Sequence, residues 1–100
     1  MNWSIIRLEV KPSYNNLQDV VVLVNWMLTA SNNGVTETIE GITLVDPPGE
    51  VFVAYENLTQ NEIFDWVWNK ISKTGTEELL TQRIQDKITP PTVNKPLPWN

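Results

Sequence analysis

The sequence predicts an α+β fold, in which an antiparallel sheet of three or four strands carries two C-terminal helices on one face. Two observations support this prediction: apolar residues alternate with a period of two as far as Val45, and helix-start signals follow from Thr59. The chain has 100 residues, of which 41% are hydrophobic, and this is enough for one core without disulfides. We therefore expect a single α+β domain over residues 1–89 and an extended proline-rich docking arm over residues 90–100.

A half-buried strand is expected at the N-terminus. Ile6, Leu8 and Val10 alternate with charged residues, so one side of this strand should face the core and the other the solvent. Residues 11–16 read Lys-Pro-Ser-Tyr-Asn-Asn, a composition typical of a turn. The first strand is thus expected to end near Lys11 and to lead into the next strand of a meander.

The centre of the sheet is predicted to be one long β-hairpin over residues 17–45. Asn33-Gly34 supplies the two positive φ angles that a type I′ turn needs. Counting outward from this turn places Trp26 opposite Gly41, so the indole is expected to lie over a position without a side chain. The same register pairs Leu28 with Ile39 and Val22 with Val45, and it puts Val20, Val22, Val24, Trp26, Leu28 and Ala30 on one face.

The opposite face of this strand is also partly apolar. Val21, Leu23 and Met27 lie there in the expected alternation, and only Asp19, Asn25 and Thr29 make this face polar. A strand that is apolar on both sides is usually covered on both sides. The cover is either another part of this chain or a second protein, so these three residues are candidate partner-binding residues.

An apolar run over residues 51–55 follows the turn sequence Asp46-Pro47-Pro48-Gly49. We expect this run either to add an edge strand or to form an extended connector. Phe52 and Tyr55 are expected to anchor the core rather than to form a ligand cage.

Two helices are predicted after the connector. Thr59 and Glu62 have the spacing of a capping box, in which the threonine hydroxyl accepts from the Glu62 N–H and the Glu62 side chain returns to the Thr59 N–H. Gly75 is expected to end this first helix. Thr76 is then expected to begin a second helix that runs to about Ile88.

The C-terminal arm holds most of the chain's seven prolines and is predicted to be extended. Prolines reduce the entropy that a segment loses on docking, and apolar side chains serve little purpose on a tail surrounded by water. The arm therefore either folds back over Val21, Leu23 and Met27 of its own sheet or docks into a neighbouring subunit. Its candidate partner-binding residues are Pro96, Leu97, Pro98 and Trp99.

The composition argues against several classes of function. The chain has no histidine and no cysteine, which removes the commonest transition-metal ligands and the commonest acid/base side chain. Its net charge of −5 argues against binding to nucleic acid, which requires basic patches. We predict no cofactor, no membrane partner and no membrane-spanning helix, since no apolar run is long enough. Met1–Ser4 also lacks the features of a secretion signal.

No catalytic or metal-binding residues are predicted, and the protein is not expected to be an enzyme. Glu77-Glu78 and the Glu37 and Glu40 pair are interpreted as solvated surface charges, because no nucleophile accompanies them. A deep pocket lined by Asp19, Glu37 or Glu40 would reopen the possibility of an enzyme. The acidic residues are concentrated before Lys70 and the basic residues after it, a split that favours an oppositely charged partner or simply marks a solvated surface.

Several short stretches form a recognisable set: Trp3-Ser4, Asn25-Trp26, residues 52–59, Trp66-Val67-Trp68 and the terminal Pro96-Leu97-Pro98-Trp99. Together they resemble a family of small, uncharacterised tailed-bacteriophage proteins found in phages of aquatic bacteria, including cyanophages. The resemblance runs over most of the chain and implies a component of the virion. It brings no catalytic residues that can be assigned to positions of this chain.

The leading hypothesis is a non-enzymatic virion protein assembled in the host cytoplasm, namely a capsid decoration or cement protein. It would bind the major capsid protein or other phage structural subunits through the second sheet face and the arm, and a homo-oligomer is an open alternative. A tail, neck or baseplate accessory protein is the alternative within the same class. From another class comes an intracellular phage protein that binds and inhibits a host enzyme.

Overall fold

The computed structural model describes residues 1–49 and 52–99 and shows an α+β fold. One antiparallel sheet holds three strands in the order β1-β2-β3, and two helices follow it. The predicted fold class is confirmed. The bounds are Asn2–Tyr14 for β1, Leu17–Asn32 for β2, Val35–Leu44 for β3, Gln60–Lys70 for α1 and Lys73–Ile88 for α2, with a 3₁₀ turn at Tyr55–Asn57.

The β2–β3 hairpin has the predicted register. Asn33 and Gly34 form its turn with φ angles of 50° and 77°, and Trp26 pairs with Gly41. The indole packs so closely that a Cβ atom on Gly41 would lie 2.2 Å from Trp26 Cζ2. Trp26 Nε1 donates a 3.0 Å hydrogen bond to Thr43 Oγ1, which satisfies the polar atom of this buried ring. The other predicted pairs are also present, as Leu28–Ile39 in the ladder and as a 3.0 Å bond from Val45 N to Val22 O.

The β1–β2 connection differs from the prediction. Strand β1 continues through Lys11 to Tyr14, and the two-residue turn is Asn15-Asn16 with φ angles of 48° and 65°. Asparagine tolerates the left-handed region better than most residues, so this pair turns the chain as Asn-Gly does. The prediction that β1 ends near Lys11 is therefore wrong.

Two β-bulges interrupt the β1–β2 ladder. Ile6 is an extra residue in β1, and Val22 is an extra residue in β2. A bulge places two residues of one strand opposite one residue of the other, so the alternation between faces is broken at that point. The flanking pairs are Ile5–Trp26 and Arg7–Asn25 for the first bulge, and Val10–Val21 and Glu9–Leu23 for the second.

The bulges overturn two of the predicted side-chain positions. Ile6 is predicted to face the core with Leu8 and Val10, but it is 47% exposed. Val21 is predicted on the face opposite the core, but it is 5% exposed and belongs to the core cluster. A strict period of two contains no inserted residue, and for that reason it misplaces both side chains.

Both helices pack on the same face of the sheet, as predicted. Leu28 of β2, Val67 of α1 and Leu80 of α2 are each fully buried in the core between these elements. Strand β1 contributes partly buried side chains to the same core, including Trp3 and Leu8. The buried members of the cluster are Val21, Val24, Trp26, Leu28, Ile63, Val67, Leu80 and Ile84.

Helix α1 begins at the predicted cap. Thr59 Oγ1 accepts a 3.3 Å hydrogen bond from Glu62 N, so one of the donors of the first turn is satisfied. The reciprocal bond to the Thr59 N–H is not formed, because the Glu62 carboxylate accepts instead from the Thr59 hydroxyl at 3.1 Å. Half of the predicted capping box is therefore present.

The boundary between the helices lies earlier than predicted. Helix α1 ends at Lys70 and α2 begins at Lys73, so Gly75 lies in the first turn of α2 and the prediction that it ends α1 is wrong. Ser72 is the N-cap of α2, and its Oγ accepts a 2.9 Å hydrogen bond from Gly75 N. Because serine satisfies an N-terminal donor directly, it determines the helix start here.

Replacing Ser72 with alanine is expected to lower the free energy of unfolding by about 1 kcal/mol, since the Gly75 N–H loses its acceptor. Urea denaturation followed by circular dichroism measures this change. Ser13→Ala, at an exposed position of β1, is the matched control and is expected to change stability by less than about 0.5 kcal/mol. Equal stability of the two variants would contradict the assigned cap.

The molecule is elongated. Its extents are 74 × 23 × 18 Å and its radius of gyration is 19.5 Å, compared with about 13 Å for a compact domain of this length. The central strand β2 has 16 residues, which span about 53 Å. The two hairpin turns therefore lie at opposite ends of the sheet, and we name these the Asn15 end and the Asn33 end.

Candidate functional site

The C-terminal arm projects from the domain. Helix α2 ends at Ile88, and every residue from Thr89 to Trp99 is exposed. Leu97 is 51% exposed and Trp99 is 78% exposed. The arm therefore does not lie over its own sheet, which was one of its two expected positions. Asn100, the last residue of the predicted arm, lies outside the described residues.

The outer face of the sheet, which is the side opposite the helices, carries a second apolar surface. Leu23 and Met27 of β2 lie there half-buried, and their β3 neighbours Ile42 and Leu44 are 59% and 69% exposed. We name these four residues the outer strip. Two of the predicted face residues, Leu23 and Met27, thus belong to it, whereas Val21 lies in the core on the other side.

Polarity changes along this outer face. Toward the Asn33 end, hydroxyl pairs join β2 to β3, with Thr29 bonded to Thr38 at 3.2 Å and Ser31 to Thr36 at 2.7 Å. Beside the outer strip, Asn25 is buried, and its Nδ2 donates to Gly41 O at 2.9 Å and to Glu40 Oε1 at 3.2 Å. The apolar surface is consequently confined to the half of the face nearer the Asn15 end.

A groove with a volume of about 400 Å³ opens at the Asn15 end, on the helix side of the sheet. Phe52 and Trp66 are half-buried in its wall. Residues 52–54 form no strand, and Tyr55 is exposed, so of the two expected core anchors only Phe52 is partly enclosed. The groove is lined by Asp19, Val20, Val21, Val45, Asp46, Pro47, Pro48, Gly49, Phe52, Val53, Leu58, Glu62, Trp66, Asn69 and Lys70.

Three of the described residues that line this groove are acidic, and two of these three already have partners. Asp46 Oδ2 accepts a 2.6 Å bond from Lys70 Nζ, and Glu62 is engaged with the cap residue Thr59. Asp19 is exposed and adopts a positive φ of 52°. No hydroxyl side chain is among the described residues that line the groove, and the one amine there, that of Lys70, is paired with Asp46. The arrangement is suited to binding, with an apolar wall and an acidic rim.

The remaining candidate carboxylates do not form pairs. Glu37 and Glu40 lie on opposite faces of β3, where Glu37 accepts from Lys87 and Glu40 from Asn25. Glu77 Oε2 accepts a 2.9 Å bond from Trp3 Nε1. Neither Glu37 nor Glu40 lines the groove, so Asp19 is the one residue of this set among the described lining residues.

Over residues 1–49 and 52–99, no group of three acidic side chains is placed to hold a metal ion. Neither helix in these ranges combines the length and the apolar character needed to cross a membrane.

The uneven charge of the sequence is partly balanced within the fold. Lys70 binds Asp46 beside the groove, and Lys87 Nζ binds Glu37 Oε2 at 2.7 Å near the Asn33 end. Each pair joins the basic C-terminal half to the acidic N-terminal half. Exposed pairs of this kind contribute little to stability, but they indicate that part of the charge split is used inside the molecule.

Sequence reasoning missed the groove and half of the outer strip. Ile42 and Leu44 alternate with Gly41 and Thr43 along β3, so this alternation was the signal that would have placed them on the outer face. The groove carries no such signal, because Trp66 and Phe52 meet the Asn15 end only in the folded chain.

Comparison with known proteins gives one finding. Neither the curated proteins nor the solved structures provide a match to this chain. The family that does match is described as a domain of unknown function, so it assigns no activity, and the resemblance to phage proteins stays a prediction. Because this match covers residues 1–99, nearly the whole fold described above, the chain belongs to the DUF7936 domain family.

Proposed function

We propose that this protein is a non-enzymatic structural component of a bacteriophage virion, and that it acts as a decoration or cement protein of the capsid. It binds neighbouring protein subunits through its C-terminal arm and the outer strip. The observation that carries this proposal is the exposure of Leu97 and Trp99 on an arm that extends away from a domain with a complete core.

Apolar exposure on this scale favours a role in binding. Large exposed apolar surfaces on a soluble domain usually mark contacts with another protein. Aromatic side chains that enter a pocket of a partner tend to carry much of the binding energy, and Trp99 is such a side chain. The prolines around it limit the conformations of the free arm and so lower the entropy lost on binding.

The outer strip supplies a second contact in this proposal. Ile42 and Leu44 are exposed beside Leu23 and Met27 on the paired strands β2 and β3, so the apolar surface lies on hydrogen-bonded strands rather than on a loop. An elongated molecule with a sheet face and a projecting arm can contact two subunits at once. This shape is consistent with a protein that joins capsid subunits at their junctions.

The location is tested by quantitative mass spectrometry of purified particles from a bacteriophage whose genome encodes this chain. Intact particles are compared with empty heads and with detached tails. We expect hundreds of copies per particle, and we expect them in the fraction that contains the heads. A few copies in the fraction of detached tails would instead assign the protein to the tail, neck or baseplate. Absence from every fraction, with recovery on a host protein instead, would overturn the structural role in favour of a host-directed inhibitor.

Deletion of residues 94–100 tests the arm. Because residues 94–99 are exposed in the structure, the free energy of unfolding is expected to change by less than about 0.5 kcal/mol. The truncated protein is nevertheless expected to be lost from the particles. The matched control replaces Asn94 alone with alanine and should keep the normal copy number. A truncated protein that is less stable by several kcal/mol, yet still incorporated, would contradict the proposed use of the arm.

A further inference from the structure

We propose that the groove at the Asn15 end receives the C-terminal arm of a second copy of this chain, so that copies join head to tail. This inference rests on the proposed function, in which the arm is a docking element, and it names the surface on which the arm docks. Three features support it: the chemistry of the groove, its charge, and its distance from the point where the arm of the same chain begins.

The groove and the arm have matching chemistry. Proline-rich segments bind in grooves walled by aromatic side chains, because the extended polyproline conformation presents its rings and apolar side chains to flat surfaces. Phe52 and Trp66 provide such walls, and Pro96 and Pro98 flank the apolar Leu97 on the arm. The cavity of about 400 Å³ lies in the range of roughly 300–1,000 Å³ that is typical of ligand pockets. It is therefore large enough to enclose a few side chains.

The charges of the two surfaces are complementary. Three carboxylates, those of Asp19, Asp46 and Glu62, lie around the groove, while Lys70 is the single basic residue among the described lining residues. Lys70 is paired with Asp46, so the rim keeps a negative excess. The arm carries one charged residue, Lys95, directly before Pro96. The attraction between a basic residue on the arm and an acidic rim raises the association rate and favours the correct orientation of the arm.

Distance favours a second copy over the same chain. The arm begins near the Asn33 end, where Lys87 is held by Glu37 at 2.7 Å. Val45 lies at the edge of the groove, directly after β3. It is eight residues from Glu37, so the two residues are about 26 Å apart along the strand direction. The segment from Ile88 to Leu97 reaches at most about 28 Å as a polyproline helix. Since the two lengths are nearly equal, only a straight return would suffice, and α2 packs over β2 and β3 along that line.

A second copy meets no such limit. When two copies approach end to end, the arm of one enters the groove of the next without turning back. A contact between two different surfaces of the same chain is heterologous, and it produces a closed ring or an open row of copies. Either arrangement would place a series of outer strips along the surface of a larger assembly.

The test uses the full chain with a photoreactive benzoylphenylalanine in place of Leu97. Protein labelled with ¹⁵N is mixed with unlabelled protein and irradiated, and the cross-linked peptides are identified by mass spectrometry. We expect mixed-isotope peptides that join the arm to the segments around Phe52 or Trp66.

Sedimentation velocity over a concentration series of the unsubstituted chain provides the association constant. Trp99→Ala is expected to weaken association by about thirtyfold, and Lys95→Glu by several fold. The charge-reversal control is Arg83→Glu, on the exposed surface of α2 and not among the groove-lining residues.

Each other outcome overturns the inference. Cross-links to the groove that never mix isotopes would place the arm in its own chain. Mixed-isotope cross-links to the outer strip would give the arm a different receptor. A protein that stays monomeric without cross-links would show that the copies do not join. None of these three results removes the chain from the virion, so the particle measurement tests the proposed function separately.

Discussion

Replacing Leu80 with alanine is expected to lower the free energy of unfolding by about 3 kcal/mol. Leu80 is fully buried between α2 and the sheet, where it belongs to the cluster that also holds Leu28 and Val67. Removing most of its side chain loses apolar burial and leaves a cavity that the surrounding strands cannot fully close. Urea denaturation monitored by circular dichroism measures the change.

The adjacent residue offers a matched control. Leu79 has the same side chain on the same helix but is 49% exposed. Leu79→Ala is expected to change stability by less than about 0.5 kcal/mol. If the two variants were equally stable, the face of α2 that packs on the sheet would be misassigned. A large loss of stability for Leu79→Ala alone would mean that the opposite face of α2 packs on the sheet.

Replacing Gly41 with alanine is expected to destabilise the domain by about 3 kcal/mol, at the upper end of the usual cost of overpacking. The new Cβ atom would lie 2.2 Å from Cζ2 and 2.6 Å from Cε2 of Trp26, a ring that is buried and cannot move aside without breaking its bond to Thr43. Tryptophan fluorescence during denaturation reports both the stability and the altered ring environment.

Gly49→Ala is the control for this substitution. No atom of the described residues lies within 4 Å of the Cβ position at Gly49, and its φ is not in the left-handed region. We expect its stability to stay within about 0.5 kcal/mol of the unchanged chain. A Gly41→Ala variant as stable as Gly49→Ala would mean that the indole does not cover Gly41 in solution, and the predicted hairpin register would lose its main support.

The success of the sequence analysis depended on how local each signal was. The Asn33-Gly34 turn determines the pairs on both sides of it, so counting outward placed Trp26 on Gly41 correctly. The Thr59 cap was found for the same reason, since all of its atoms lie within one helical turn. The hairpin register and the cap at Thr59 were thus confirmed.

Predictions that needed information from outside one segment were less successful. The alternation in β1 and β2 cannot reveal a bulge, so Ile6 and Val21 were assigned to the wrong sides. One local signal also failed, because the serine cap at Ser72 begins α2 before Gly75 is reached. The groove brings together β2, the connector and α1, and no spacing in the sequence predicts that arrangement.

The two bulges bear on how the length of this chain can vary. The residues on either side of Ile6 pair with Trp26 and Asn25, which are consecutive in β2. The residues on either side of Val22 pair with Val10 and Glu9, which are consecutive in β1. Deleting either residue would join neighbours that already point to alternate faces, so the ladder would close without moving any core side chain to the other side. Single-residue deletions inside a strand normally invert one face of a sheet. At these two positions, relatives one residue shorter are expected to keep the same core.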